Sequence, residues 1–218
     1  MNAILFGATG MVGQGVLREC VHAADVKTVL CIGRSPSGST HVKVTDLVLQ
    51  DLTDYSQVSV DLSGFDACFF CLGVSSSGMK EAEYSRITYS ITIAAAETLA
   101  RVNPGMTFIY VSGQGTDSSE RGRVMWARVK GKTENALLRL PFHAYMLRPG
   151  VIEPLHGIQS RTKLYRVFYK VLRPALPLMK ALFPNSVTTT EQIGRAMLEI
   201  ARHGTDKKVL ETRDINFL

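Results

Sequence analysis

AILFGATGMVGQG, residues 3–15, decides the reading of this chain. Four apolar residues of strand character, AILF at 3–6, run straight into glycines at 7, 10 and 13 and then into a helical pattern over 11–22. Gly7 would allow a tight turn, Gly10 would let the backbone approach a pyrophosphate, and Gly13 would let the helix pack closely on the strand. Thr9, Met11 and Val12 fill the positions between these glycines. The free N–H groups and positive dipole end of such a helix favour a phosphate. A lone glycine pattern is weak, but its place at the first strand-to-helix turn gives it weight. No Gly-Lys-Ser/Thr follows, so a Walker-type loop is excluded.

Working outward, short β-rich runs alternate with helical patterns, the signature of βαβ units and a parallel sheet. Strands are expected at 3–6, 28–32, 46–50, 67–72, 107–111, 144–148 and 208–211, and helices at 11–22, 79–102, 123–138, 162–173 and 190–203. The strands show little polar alternation, as strands covered on both faces should. The expectation is an α/β, Rossmann-type, doubly wound and mostly parallel sheet of about seven strands. All 218 residues should form one nucleotide-binding domain, with 150–190 as a substrate-side lid segment.

At the end of the second strand the sequence reads CIGRS. A carboxylate there would accept from both hydroxyls of an NAD ribose, whereas Arg34 can pair with a 2′-phosphate. NADP(H) is therefore the preferred cofactor, with NAD(H) also admitted. A solvated loop arginine is the bland alternative.

Bulk composition sets outer limits. With 45% apolar and 20% charged residues, the chain is no disordered polymer. No stretch has the roughly 18 uninterrupted apolar residues of a membrane span, and the apolar start lacks a basic leader, so a cytoplasmic protein is expected. Cys20, Cys31, Cys68 and Cys71 sit in apolar surroundings and suit buried free thiols. The odd spacing of Cys68 and Cys71 would aim them at opposite faces of a strand, so no metal site is expected.

The formal charge of +6 has one source: 155–185 holds six cations and no anion, and without it 19 cations face 19 anions. Leu164, Val167, Phe168, Val171 and Leu172 share one helical face, with Lys163, Arg166, Lys170 and Arg173 largely off it. Such cations suit an anionic substrate, a membrane surface or an acidic partner contacting 161–180, and equally a plain solvated face. Nucleic acid is disfavoured, because Tyr165, Phe168 and Tyr169 form no distributed stacking platform. Nothing in the sequence sets the oligomeric state.

GATGMVG, Asp51-Leu52, CLG at 71–73, YVSGQG at 110–115, VKGK at 129–132 and LRPGVIEP at 147–154 together resemble the atypical short-chain dehydrogenase/reductases. Within these the chain looks most like the Tat-interacting-protein-like oxidoreductases and the bacterial proteins grouped with NAD-dependent epimerase/dehydratases. The match is good over about the first 155 residues and only an outline beyond. The resemblance implies that Asp51 meets the adenine beside Leu52, that Leu72 and Gly73 lie along a ribose, and that Pro149, Gly150 and Val151 border the nicotinamide. It also implies that Ser112 hydrogen-bonds a substrate carbonyl and that Lys130 holds the nicotinamide ribose and activates a tyrosine four residues before it.

That tyrosine is absent. Trp126 stands in its place, and none of the seven tyrosines has a lysine four residues later. An indole N–H donates but cannot cycle a proton. Three readings of Trp126 stay open: core filler, a nicotinamide-facing wall for tyrosine-independent hydride transfer, or the mark of a protein that binds NADP(H) without turnover as a sensor or interaction module. His156, just past the Pro149-Gly150 turn, is the better placed of the histidines for a role. The leading expectation is an NADP(H)-dependent oxidoreductase acting on an unidentified small molecule.

Overall fold

A computed structural model describes residues 1–56, 58–158 and 184–218. Strands β1 (Asn2–Phe6), β2 (Thr28–Gly33), β3 (Val44–Val48), β4 (Ala67–Phe70), β5 (Thr107–Val111), β6 (His143–Arg148), β7 (Val151–Glu153), β8 (Val187–Thr189) and β9 (Val209–Glu211) alternate with helices. The helices are α1 (Met11–His22), α2 (Glu81–Ser85), α3 (Ile91–Val102), α4 (Met125–Leu137), α5 (Thr190–His203) and α6 (Thr212–Phe217), with a π-helical segment, Arg86–Ser90, between α2 and α3. The basic helix expected at 162–173 and most of the expected lid lie outside the described residues.

Seven strands form one sheet in the order β3-β2-β1-β4-β5-β6-β9, every neighbouring pair parallel. Period-two alternation sorts its side chains into two cores. Ala3, Leu5, Cys31, Phe69, Ile109 and Leu147 face α1 and α5, while Ile4, Phe6, Ile32, Phe70, Phe108 and Met146 face α3 and α4. Cys68 belongs to the second core and Cys71 packs against the first, so the C-x-x-C pair does point to opposite faces. All four thiols are free, and burial pushes those of Cys20 and Cys31 up to about 12.

α1 and α5 approach closely because both carry glycine at the crossing. A Cβ on Gly15 would lie 2.6 Å from the Thr190 carbonyl oxygen, and one on Gly194 would lie 2.6 Å from Glu19 Cγ.

Most element ends differ from the sequence reading by a residue or two, and larger differences stand at three places. The third strand is Val44–Val48 rather than 46–50, because its ladder is set by pairing from Val29↔Val44 to Gly33↔Val48. The expected helix 79–102 starts at Glu81 and passes through the π segment. A separate parallel pair, β7 with β8, joins Val151–Glu153 to Val187–Thr189 and was not foreseen. Among the described residues no helix is long and apolar enough to cross a membrane.

Candidate active site

The strand order reverses between β1 and β4, and in such sheets the crevice at the carboxyl ends of the strands is where a ligand fits. A cleft of about 940 Å³ opens there. Its walls run from the ends of β2 and β3 (Arg34, Asp51, Leu52), across the first turn, to the ends of β5 and β6 (Ser112, Pro149, Gly150).

The first turn has the geometry its glycines allow. Gly7 adopts φ 78°, and a Cβ there would come within 2.7 Å of the Leu72 amide. Gly10 donates its N–H to the Gly7 carbonyl at 2.9 Å. Gly13 lies beneath the cleft rather than in its wall, and a Cβ on it would strike the Gly7 oxygen at 2.0 Å. No side chain caps α1 and its first turn holds no acid, so donors at Met11 and Val12 open onto the cleft. This end fits an anionic diphosphate.

At the far left of the sheet, Arg34 and Ser35 line the cleft on a loop anchored by Asp46, whose two oxygens take the Ser37 amide (2.9 Å) and hydroxyl (3.1 Å). The expected Thr9, Asp51, Leu52, Leu72 and Gly73 all lie in the wall. Val151 does not. On β7 its neighbour Ile152 faces the cleft, and alternation turns Val151 away.

The opposite end is built on α4. Trp126, Lys130 and Glu134 recur every four residues and so share one face of that helix. Lys130 lines the cleft and donates its ammonium to the Ser112 carbonyl. Burial lowers its pKa to about 8, against an opposing pull from Glu134. Ser112 also lines the cleft, but the acceptors nearest its hydroxyl are inside the protein: Glu134 Oε1 at 2.5 Å and the Leu147 carbonyl at 3.1 Å.

Glu134, only 1% exposed, is the residue the sequence reading missed. Arg148 holds it through Nε at 3.0 Å and through Nη2, and also reaches Ser118 Oγ at 2.5 Å. Its place one turn after Lys130 was visible in the sequence; its burial depended on Arg148 arriving from β6. The Pro149-Gly150 turn is fixed from two sides, by Gln114 N–H donating to the Pro149 carbonyl (3.0 Å) and by Gly150 N–H donating to Thr212 Oγ1 (2.8 Å).

Trp126 is half-buried and outside the cleft wall. Its ring tip packs 3.6 Å from where a Cβ on Gly115 would sit, over the loop that follows Ser112. None of the five tyrosines in the described residues lines the cleft. His156 is also outside it: its Nε2 pairs with Glu191 Oε2 at 2.6 Å, tying the strand exit to α5.

Comparison with known proteins supports the fold. The chain aligns over 100% of its length with 93% of a short chain dehydrogenase family protein from Francisella tularensis, at 15% identity and a TM-score of 0.65. It aligns over 99% of its length with 76% of the Bordetella bronchiseptica enzyme WbmF, a protein solved in complex with NAD+, at 15% identity and a TM-score of 0.68. In sequence, the chain is 26% identical over 179 residues to the leucinostatins biosynthesis cluster protein T of Purpureocillium lilacinum, covering 81% of this chain and 65% of that protein. It is 29% identical over 168 residues to the mitochondrial protein FMP52 of Saccharomyces cerevisiae, covering 75% of this chain and 69% of that protein. The chain thus spans just under two thirds of the first of these relatives. No protein-family model matches.

The cytoplasmic expectation is corrected by these relatives, several of which, from Eremothecium gossypii, Scheffersomyces stipitis and Saccharomyces cerevisiae, are named mitochondrial. The sequence reading weighed a membrane span and a secretory leader, and neither of these bears on a mitochondrial destination.

Proposed function

We propose that this protein binds a nicotinamide dinucleotide, NADP(H) in preference to NAD(H), and acts as an oxidoreductase of the atypical short-chain dehydrogenase type, Tat-interacting-protein-like in its motifs. The observation that carries this reading is the single cleft that joins the glycine turn at one end to Ser112 and Lys130 at the other. When bound, the nicotinamide would supply or take a hydride. Arg34 would meet the 2′-phosphate, with Ser35 beside it. The donors at the start of α1 would hold the diphosphate, and the braced Pro149-Gly150 turn would border the nicotinamide.

With no tyrosine among the described residues of the wall, Lys130 is the group we assign to move a proton. A general acid works best with a pKa near the working pH, and its lowered value of about 8 meets that condition. Ser112 would orient the reacting oxygen, with Glu134 fixing the hydroxyl. The missing tyrosine also favours a second reading, cofactor binding without turnover.

The test is a titration followed through dihydronicotinamide emission. NADPH should bind more tightly than NADH, and Arg34→Glu should cost NADPH roughly tenfold or more while sparing NADH. Equal losses for both would remove Arg34 from the 2′-phosphate. NADPH oxidation with carbonyl, quinone and flavin acceptors then separates the two readings: turnover favours the enzyme, and silence with tight binding favours the sensor.

A further inference from the structure

The family resemblance has Ser112 meet a substrate carbonyl, which would require its hydroxyl to donate, and the surroundings of that hydroxyl stand against it. A serine hydroxyl has one hydrogen and two accepting lone pairs. Both acceptors within reach of Ser112 Oγ lie inside the protein, Glu134 Oε1 at 2.5 Å and the Leu147 carbonyl at 3.1 Å. Glu134 is an acceptor on both oxygens, because the Arg148 guanidinium, which can only donate, meets Oε1 through Nε at 3.0 Å and Oε2 through Nη2. The Ser112 hydrogen is therefore committed inward, and what Oγ has left for the cleft is a lone pair.

Lys130 supplies the opposite character. Its ammonium carries three hydrogens, and among the described residues its one hydrogen bond goes to the Ser112 carbonyl. Because that bond is to Ser112 itself, donor and lone pair sit at the same end of the cleft, within one residue of each other. Gly113 lines the cleft beside them at φ 149°, and nothing stands within 4 Å of where a Cβ on it would be. That leaves room next to Ser112 for a substituent on the substrate.

A bare ketone matches half of this arrangement: its oxygen accepts from Lys130 and brings nothing for Ser112. A carbonyl with a hydroxyl on the adjacent carbon matches both halves, accepting at the carbonyl oxygen and donating through its O–H.

We propose that the reaction end of the cleft selects α-hydroxy carbonyl compounds, with Ser112 Oγ accepting from the substrate hydroxyl while Lys130 holds the carbonyl oxygen. The proposal rests on the oxidoreductase reading above and deepens it by naming a substrate class. The carbonyl carbon gains a hydride from the dihydronicotinamide, and the carbonyl π pair takes a proton from the Lys130 ammonium. The products are a vicinal diol and the oxidised cofactor, and Lys130 recovers its proton from solvent. Ser112 keeps its own hydrogen throughout and orients the reacting oxygen through the hydroxyl next to it.

The test compares 2-hydroxyacetophenone with 2-methoxyacetophenone, which keeps the electron-withdrawing oxygen and lacks the donor. Dissociation constants are read by saturation-transfer NMR on the protein loaded with NADP+, where no turnover occurs, and kcat/KM by NADPH oxidation. The wild type should favour the hydroxy compound at least about tenfold in both, as a site with an otherwise unpaired acceptor requires. Ser112→Ala should bring both ratios close to one, and Ser112→Thr, which keeps the oxygen, should retain most of the preference. NADPH titration of each variant shows that it is folded, and if either fails to bind, the wild-type comparison decides alone. Equal treatment of the two compounds, binding of neither, or an unchanged ratio in Ser112→Ala would overturn the proposal while cofactor binding stands. Preferential binding without turnover would overturn the reduction step and leave the sensor reading. Failure to bind NADPH or NADP+ would overturn both the proposal and the reading it rests on.

Discussion

Lys130→Met should make the protein more stable and less able to bind its cofactor. The lysine is held charged at neutral pH in a place that lowers its pKa from 10.5 to about 8, chiefly through burial. At about 1.4 kcal/mol per tenfold change in proton affinity, that depression corresponds to about 3 kcal/mol. This is a ceiling, because the ammonium meets solvent at the cleft wall. Losing the bond to the Ser112 carbonyl returns about 1 kcal/mol. Methionine should therefore stabilise the fold by about 1–2 kcal/mol near neutral pH. The sign with pH follows from linkage. Below about 8 both folded and unfolded lysine carry the proton, and the penalty is present in full. Between about 8 and 10.5 the unfolded chain binds more protons, so wild-type stability gains from this residue as pH rises. Urea unfolding of both proteins from about pH 7 to pH 10 reads the difference directly, since groups common to both cancel. Convergence of the two curves toward high pH is expected; parallel curves would refute the argument. NADPH titration of the same variant should show weakened binding despite the added stability.

Two further outcomes follow from the geometry. Gly13→Ala would force a Cβ to within 2.0 Å of the Gly7 oxygen, so the first turn must open; a loss of at least about 1–3 kcal/mol in chemical denaturation, with loss of cofactor binding, is expected. Glu134→Leu would leave Arg148 facing an apolar group and free the Ser112 hydroxyl, costing about 3–5 kcal/mol, while Glu134→Gln should cost less because its oxygen can still accept. Unfolding midpoints that order the two variants the other way would show that Glu134 is not held by Arg148.

What the sequence made legible was what neighbouring residues decide among themselves. Strand, glycines and helix at 3–22 form one continuous local unit, and Gly7 and Gly13 occupy positions where backbone meets backbone. Arg34, Asp51, Ser112 and Lys130 stand at the ends of strands or on the helix that packs over them, so the parallel topology alone gathers them at one edge of the sheet. What stayed hidden depends on partners remote in sequence. Glu134 reads as an ordinary exposed helix residue until Arg148 is placed beside it. Arg86 reads as a solvated cation until the π segment sets it on the cleft. The pairing of β7 with β8 spans a long stretch of chain and involves only three residues on each side, too few for any periodicity to register. Trp126 was singled out for its place before Lys130, but spacing along a helix does not fix how far a side chain lies from the cleft wall.

The hydrogen bond from Gly150 to Thr212 has a consequence for how the site is assembled. The first strand and its turn precede the Pro149-Gly150 loop in the chain, and that loop receives one of its two braces from Gln114 and the other from the start of α6. A growing chain would thus form the glycine turn before the Pro149-Gly150 loop had both of its braces. A protein lacking α6 would keep the glycine turn but hold the far wall of the cleft at Gln114 alone, so the two ends of one cleft depend on segments far apart in the chain.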